Sequence, residues 1–251
     1  MKKLVLFSLA VAGSLLTEDS LAQRSAPDQV DTEKGVLSIQ AILHGTVVFT
    51  WDNKTIYVDP YGGGKAFTGI ADPDMIIITD IHGDHLNPET LNALQTSRAV
   101  VVAPRAVADQ LPEALKQKVL VVANGDKISQ LGVDIKAIPM YNLPETEDSR
   151  HPKGRGNGYV LTFGARNVYI SGDTEDIPEM RALKNIDIAF VCMNGPTMDV
   201  NQAASAVLDF KPAIVYPFHH RGSDIERFKE LVNAGNNQIE VRLRDWYPKY
   251  E

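Results

Sequence analysis

The chain is poor in cysteine and has no excess of positive charge. Cys192 is the one cysteine among 251 residues, so an internal disulfide is excluded. Because it lies in the apolar run IDIAFVCMN, we expect a small core residue rather than a catalytic thiol. The 25 lysines and arginines are outnumbered by 32 acids, and the formal charge of −7 argues against nucleic acid as a partner. No G-x-S-x-G motif indicates a serine nucleophile.

Long apolar runs are missing beyond the N-terminus. There, LVLFSLAVAGSLL follows the basic MKK and precedes the small residues SLA. This order predicts a secretory signal peptide over residues 1–22, cleaved after Ala22, and hence a periplasmic or secreted protein. An uncleaved anchor is the alternative, although the run is short for a bilayer. We expect residues 23–35 to be a loose leader and residues 36–251 to form one domain, without stable membrane insertion and of open oligomeric state.

Strand and helix patterns alternate along that domain. Apolar, β-branched runs predict strands at 36–43, 46–51, 54–60, 75–79 and 133–139, and again at 158–163, 167–173, 187–193 and 212–218. Helix patterns occupy 87–95, 198–210 and 224–234. The segments 45–60 and 158–173 each begin with glycine, run through a hairpin and end near an aspartate, as a duplicated hairpin would. Together they predict an α/β fold, an αββα sandwich of two mixed sheets packed face to face with helices outside.

The densest group of polar residues follows the strand run MIIIT. The next six residues, DIHGDH, bring Asp80, His82, Asp84 and His85 into one strand-to-helix turn. Imidazole and carboxylate are ligands for a borderline divalent cation such as zinc. All six histidines of the chain stand at strand ends or in loops, where a rigid scaffold presents ligands. The turn therefore predicts a metal site, with a solvated polar loop as the alternative.

The turn TDIHGDH resembles the T-H-x-H-x-D-H motif of the metallo-β-lactamase superfamily. The later stretches HPKGRGNGYV, YISGDTE and YPFHHRG agree with that family in order and spacing. They look closer to the branch that includes L-ascorbate-6-phosphate lactonase and N-acylphosphatidylethanolamine phospholipase D than to classical β-lactamases. The resemblance implies a metallo-β-lactamase-like fold and a metal-dependent hydrolase acting on a small-molecule ester, lactone, amide or phosphodiester. One or two divalent ions, zinc first and manganese or iron as alternatives, would hold the attacking hydroxide.

The resemblance also implies a role for each matching residue. One ion would be held by His82 and His151, the other by Asp84, His85 and His219, and Asp173 would bridge the two. Asp84 would in addition hold and shuttle a proton. Asp59 would orient a liganding imidazole through its free N–H, with capping of a turn as the alternative.

Asp80 departs from the motif, which has a histidine there. With Asp80, Asp84 and Asp173, three negative charges rather than two would face the ions. We therefore expect a harder site, a weaker Lewis acid and more tolerance for manganese or iron, with one dominant metal as the alternative. His44 would orient Asp80 or replace it as a ligand, and a hydrogen-bonded core histidine is the alternative.

The substrate is not encoded in a recognisable motif. Lys153 and Arg155, beside His151, would meet an anionic substrate group, with a solvated basic loop as the alternative. His220 would be a substrate-side or surface residue, and the segments 61–70 and 141–150 are candidate specificity loops. Two other functions stay open: a catalytically weak periplasmic metal-binding protein, and a β-lactamase proper.

Overall fold

A computed structural model describes residues 24–195 and 197–250, and the predicted signal peptide lies outside these residues. Within that part of the chain, fourteen strands form two seven-stranded sheets. The first sheet contains β1 (Asp28–Thr32), β2 (Gly35–Leu43), β3 (Thr46–Trp51), β4 (Lys54–Val58), β5 (Met75–Ile77), β6 (Val100–Ala103) and β7 (Val119–Val121). The second contains β8 (Lys127–Gln130), β9 (Val133–Met140), β10 (Gly156–Phe163), β11 (Arg166–Ile170), β12 (Ile188–Cys192), β13 (Ile214–Phe218) and β14 (Glu240–Val241).

The two sheets repeat one plan. Strands β1 to β4 pair antiparallel and β4 to β7 pair parallel. Strands β8 to β11 then pair antiparallel, and β11 to β14 pair parallel. The predicted hairpin pair is confirmed, because segments 45–60 and 158–173 form β3–β4 and β10–β11 at equivalent positions of the two sheets.

The main core lies between the two sheets. Phe49 on β3 is buried there, with ring centroids 5.5 Å from Phe163 and 5.8 Å from Phe190 of the second sheet. The next residue along the pleat, Val48, points to the opposite face and joins a separate apolar cluster under the helices. This alternation buries both faces of the first sheet, as a layered sandwich requires.

Among the described residues, six α-helices lie on the outer faces, which confirms the predicted αββα order. They are α1 (Pro88–Ala93), α2 (Arg105–Ala108), α3 (Glu113–Lys116), α4 (Pro178–Arg181), α5 (Val200–Phe210) and α6 (Ile225–Gly235). Asn87, Asp199 and Asp224 cap the starts of α1, α5 and α6 by accepting backbone N–H groups. None of the helices in residues 24–195 and 197–250 has the length and apolarity needed to cross a bilayer.

The prediction of a loose leader over residues 23–35 is wrong for the described part of that segment. Strand β1 pairs antiparallel with β2, with Asp28 opposite Ile39. The Asp28 carboxylate also accepts hydrogen bonds from Nε and Nη2 of Arg244, which is 216 residues away in the sequence. The sequence DQVDT does not predict this strand, because β1 lies at a sheet edge and its residues alternate between half-buried and exposed without an apolar run. Its stabilising partners are distant in sequence, so local apolarity gives no indication of them.

Gly156 marks a close approach between the sheets near the end of β5. A Cβ atom at this position would lie 2.9 Å from the Thr79 carbonyl oxygen and 2.1 Å from Met140 Cε. We expect Gly156→Ala to lower the free energy of unfolding by about 1–3 kcal/mol, because the backbone oxygen cannot yield as a side chain can. Denaturant titration measures the change. Gly195→Ala is the control, because its Cβ meets no atom of the described residues within 4 Å. Equal stability of the two variants would contradict the close approach.

Candidate metal centre

The polar side chains singled out in the sequence meet at one edge of the sandwich. Asp59 follows β4, the turn with Asp80 to His85 follows β5, and Asp173 follows β11. The carboxyl ends of parallel strands meet at one edge of a sheet, which explains why residues far apart in sequence come together here. The remaining members of the group are His44 after β2, His151 before β10 and His219 after β13.

The first cluster contains two histidines and two carboxylates. His82 Nδ1 lies 3.1 Å from His151 Nε2 and 2.7 Å from Asp80 Oδ2. His151 Nε2 lies 3.4 Å from Asp173 Oδ2. On its other side, His151 Nδ1 lies 2.7 Å from the Asn142 side-chain oxygen, which can only accept. Nδ1 therefore carries the proton, and the Nε2 lone pair faces the cluster.

The second cluster is joined to the first by Asp173. His219 Nε2 lies 3.2 Å from Asp173 Oδ1 and 3.3 Å from Asp84 Oδ2. His85 Nε2 lies 3.5 Å from Asp173 Oδ2, and the rings of His85 and His219 stack with centroids 5.1 Å apart. Asp173 thus has one oxygen beside His219 and the other beside His151 and His85. This is the position for a carboxylate that serves two ions.

Asp59 contacts the His85 ring nitrogen that faces away from the cluster. Its Oδ2 lies 2.8 Å from His85 Nδ1, and its Oδ1 accepts the Thr79 backbone N–H at 2.8 Å. All three residues are buried. A carboxylate on the far ring nitrogen fixes the tautomer and raises the basicity of the nitrogen that faces the cluster.

Replacing Asp59 tests this arrangement. We expect Asp59→Asn to lower the affinity for zinc by about 10- to 100-fold, because the neutral amide gives less support to the His85 imidazole. Titration of the stripped protein against a chromogenic chelator measures the change. Asp74→Asn is a control, since Asp74 accepts the Thr55 backbone N–H at 2.9 Å outside the cluster. An unchanged zinc affinity in Asp59→Asn would show that His85 does not depend on Asp59.

The donor set fits divalent metal ions. Among the described residues, His85 Nε2, Asp173 Oδ1 and His219 Nε2 are buried without a hydrogen-bond partner, although they face one another. Buried polar atoms of this kind are rare unless something pairs with them. Burial opposes a charge on His85, yet the carboxylates of Asp173 and Asp59 raise its pKa well above the usual value. The pocket therefore favours a positive charge, and nitrogen with carboxylate oxygen is the donor set of zinc, manganese or iron.

The structure corrects the charge count at Asp80. Arg155 donates to both Asp80 oxygens at 3.1 Å, and the carboxylate is fully buried. Burial alone would raise the Asp80 pKa, but the His82 hydrogen bond and the charges of His85 and Arg155 hold it well below its usual range. Because the guanidinium offsets the added carboxylate, the expectation of one excess negative charge facing the ions is wrong. Arg155, which the sequence predicts to meet an anionic substrate group, pairs with Asp80 in the structure.

His44 lies at the second cluster and not beside Asp80. Its Nε2 is 3.0 Å from Asp84 Oδ2, so the expectation that it orients or replaces Asp80 is wrong. Its Nδ1 is 2.9 Å from the Tyr247 hydroxyl, which also accepts the Arg221 backbone N–H at 2.7 Å. Since the carboxylate only accepts, His44 Nε2 carries the proton and Tyr247 donates to Nδ1. The sequence reasoning missed Tyr247, which stands in a C-terminal tail without a motif.

The basic residues near the site are already engaged. Lys153 Nζ lies 3.1 Å from Glu145 and 3.0 Å from Glu179, so an anionic substrate group would compete with two carboxylates for this amine. Arg221, which also pairs with Asp84, has a side chain that is 50% exposed. It lines a cavity of about 360 Å³ beside the second cluster, together with Leu43, His44, Tyr61, Asp84 and Tyr247. His220 is half-buried, with its ring centroid 4.8 Å from that of Tyr247.

Four of these residues have a left-handed backbone, including Arg221 with a φ angle of 44°. The other φ angles are 59° at His44, 43° at Asp59 and 49° at His219. Such angles cost of order 1–3 kcal/mol in residues other than glycine and persist where surrounding contacts dictate them. One such contact is the hydrogen bond of 3.0 Å from the His219 backbone N–H to the His44 carbonyl oxygen. Strain concentrated at this edge is consistent with a functional site.

Comparisons with known proteins identify relatives of this chain. A family described as a beta-lactamase superfamily domain matches residues 38–219. The UPF0173 metal-dependent hydrolase of Thermoplasma acidophilum is 30% identical over 216 residues, covering 78% of this chain and 92% of that protein. The corresponding protein of Pyrococcus abyssi is 29% identical over 195 residues, covering 72% of this chain and 85% of its own.

Solved structures show the same fold. The crystal structure of a protein from Parabacteroides distasonis, named as a metal-dependent hydrolase, superposes with a TM-score of 0.79 at 40% identity. It covers 87% of this chain and 98% of its own. Igni18, a metallo hydrolase from Ignicoccus hospitalis, superposes with a TM-score of 0.69 at 21% identity, covering 84% and 95% of the two chains. At that identity, the second match supports the fold alone.

Proposed function

We propose that this chain, which belongs to the UPF0173 family of metal-dependent hydrolases within the metallo-β-lactamase superfamily, cleaves an ester, lactone, amide or phosphodiester bond of a small molecule. One observation carries the proposal: Asp173 places its two oxygens between a His82–His151 pair and an Asp84–His85–His219 group. When bound there, a pair of divalent ions supplies an activated water and polarises the bond that is broken.

The residues of the chain itself would hold the ions and orient one another. His82 and His151 would hold one ion, Asp84, His85 and His219 the other, and Asp173 both. Asp84 also accepts from His44, so a proton on His44 Nε2 lies beside the reacting region and close to the substrate cavity. Because Nδ1 accepts from Tyr247, this imidazole is neutral, and it would hold the Asp84 carboxylate in place rather than give up its Nε2 proton. Tyr247 keeps the imidazole in the required tautomer.

The cavity suggests how a substrate is recognised. Leu43, Tyr61 and Tyr247 give it apolar and aromatic walls, and Arg221 stands half-exposed at its edge. An anionic substrate group would meet Arg221, because its guanidinium is 50% exposed and lines the cavity, whereas Lys153 and Arg155 are not among the lining residues. We place the chain nearer to the lactonase and phospholipase D branch than to the β-lactamases, on the sequence pattern HPKG…GYV…GDT.

A substrate panel tests the hydrolase assignment. Protein loaded with Zn²⁺ or Mn²⁺ is expected to turn over at least one ester, lactone, amide or phosphodiester, while chelated protein turns over none. A β-lactam belongs in the panel, because β-lactamase activity is the alternative within the superfamily. If metal-loaded protein turned over no substrate of the panel, the result would instead favour a metal-binding protein with little turnover.

Export is part of the proposal and rests on the N-terminal pattern MKK, apolar run and SLA. We expect the mature protein to begin at Gln23 and to be recovered from the periplasm or the medium. Mass spectrometry of the fractionated protein measures both. Recovery of a cytoplasmic chain that retains residues 1–22 would contradict export. That result would say nothing against the proposed metal site.

A further inference from the structure

We propose that the two metal positions are unequal, and that Arg155 makes them so by holding Asp80 out of the first position. The first position is the one beside His82 and His151, and the second is the one beside Asp84, His85 and His219. On this inference the second position fills at lower metal concentration than the first. The inference rests on the paired metal site of the proposed function.

The contacts of Asp80 occupy both of its oxygens. Arg155 Nε donates to Oδ1 and Nη2 donates to Oδ2, each at 3.1 Å. His82 Nδ1 lies 2.7 Å from the same Oδ2. A two-armed guanidinium fixes the plane of a carboxylate, and Oδ2 also carries the His82 contact, so a cation at the first position could use this oxygen only by displacing His82 or Arg155. The first position is therefore left with His82, His151 and a shared oxygen of Asp173.

Charge acts in the same direction. Asp80 Oδ2 lies 3.8 Å from His151 Nε2, and the guanidinium that pairs with this oxygen offsets the attraction of the carboxylate for a cation at the first position. Arg155 is only 19% exposed and Asp80 is fully buried, so water screens this charge poorly. At the second position, Arg221 grips Asp84 through one nitrogen and is 50% exposed. Its side chain can swing into solvent.

The two positions also differ in the group that contacts the far ring nitrogen of a liganding histidine. His85, in the second position, is backed by the buried carboxylate of Asp59. His151, in the first position, is backed by the neutral amide of Asn142. A carboxylate raises the basicity of a liganding imidazole more than an amide does, so this difference also favours the second position.

Metal titration without substrate tests the inference. Stripped protein is titrated with Zn²⁺ by calorimetry and by competition with a chromogenic chelator. We expect one tight ion and a second that binds at least about tenfold more weakly. Arg155→Met is expected to tighten the weaker ion by about 10- to 100-fold, because it removes the cation and frees Asp80 as a donor. Arg155→Lys, which keeps the charge, is expected to change it much less.

Arg244→Met is the matched control. Arg244 grips Asp28 with two arms and is 27% exposed, much as Arg155 grips Asp80. The variant loses a comparable ion pair outside both clusters, so we expect neither zinc affinity to change. His82→Ala and His85→Ala assign the ions: the first should abolish the weak ion and the second should weaken the tight one.

A double variant in which both members of the ion pair are neutral provides a second test if Arg155→Met does not fold. In Asp80→Asn/Arg155→Met neither charge is left buried alone, and we expect both ions to bind, the weaker at least as tightly as in the parent. Loss of the weaker ion in this double variant would show that Asp80 is a ligand and overturn the inference. Equal affinities in the parent protein would overturn it too. Neither result depends on the substrate panel, so failure here and failure of the hydrolase assignment are distinguishable.

Discussion

Asp173→Asn is expected to lower hydrolysis by about 1,000-fold or more and to remove most metal binding. Asp173 is fully buried and is the one carboxylate shared by both clusters. Burial alone would raise the Asp173 pKa, but the charges of His219 and His85 hold it well below its usual range, so the group is an anion. The amide removes that charge with little change of shape. A loss of several kcal/mol of transition-state stabilisation corresponds to a rate loss of this size.

Two measurements separate metal binding from catalysis in this variant. An ion that binds only the folded protein stabilises it by about 2.7 kcal/mol at 100 times its Kd, and we expect Asp173→Asn to lose most of that gain. Single-turnover rates at saturating Zn²⁺ then report the remaining chemistry. Asp74→Asn, outside the cluster, should keep both the stabilisation and the rate. If Asp173→Asn retained a tenth of the parent rate, Asp173 would not be the shared ligand.

Asp80→His is expected to lower the free energy of unfolding by about 3 kcal/mol, although it restores the residue of the family motif. The substitution removes the carboxylate that balances Arg155, and it places an imidazole against the guanidinium. Loss of one partner from a buried ion pair costs 3–5 kcal/mol, and we expect the lower end because Arg155 is 19% exposed. Denaturant unfolding of the stripped protein measures the change.

The double variant Asp80→His/Arg155→Met should recover most of this stability, because no charge is left unpaired. It should also bind the weaker zinc ion at least about tenfold more tightly than the parent, since a neutral imidazole replaces an occupied carboxylate. Asp80→His alone should gain less, because the guanidinium still repels the ion. Asp80→His of undiminished stability would show that Arg155 does not depend on Asp80.

Much of the fold follows from local patterns. The apolar runs at 46–51, 75–79 and 187–193 are long and β-branched enough to specify buried strands, and the hairpin echo predicted the repeated sheet plan. The edge strand β1 was missed because its partners come from β2 and from Arg244. The 3-10 turn Gly64–Phe67 was missed as well: the segment 61–70 has little local pattern, yet Phe67 stacks on Tyr57 with centroids 4.8 Å apart.

The sequence by itself determined the histidines and aspartates that gather at one sheet edge, because ligand spacing within a turn and the ends of strands are local properties. Only the tertiary structure decided that Arg155, 75 residues from Asp80, cancels its charge, and that Tyr247, 203 residues from His44, sets its tautomer. Pairs at such separations leave no periodicity or spacing in the chain. Their strength depends on burial and on distances of about 3 Å, which exist only once both sheets are packed.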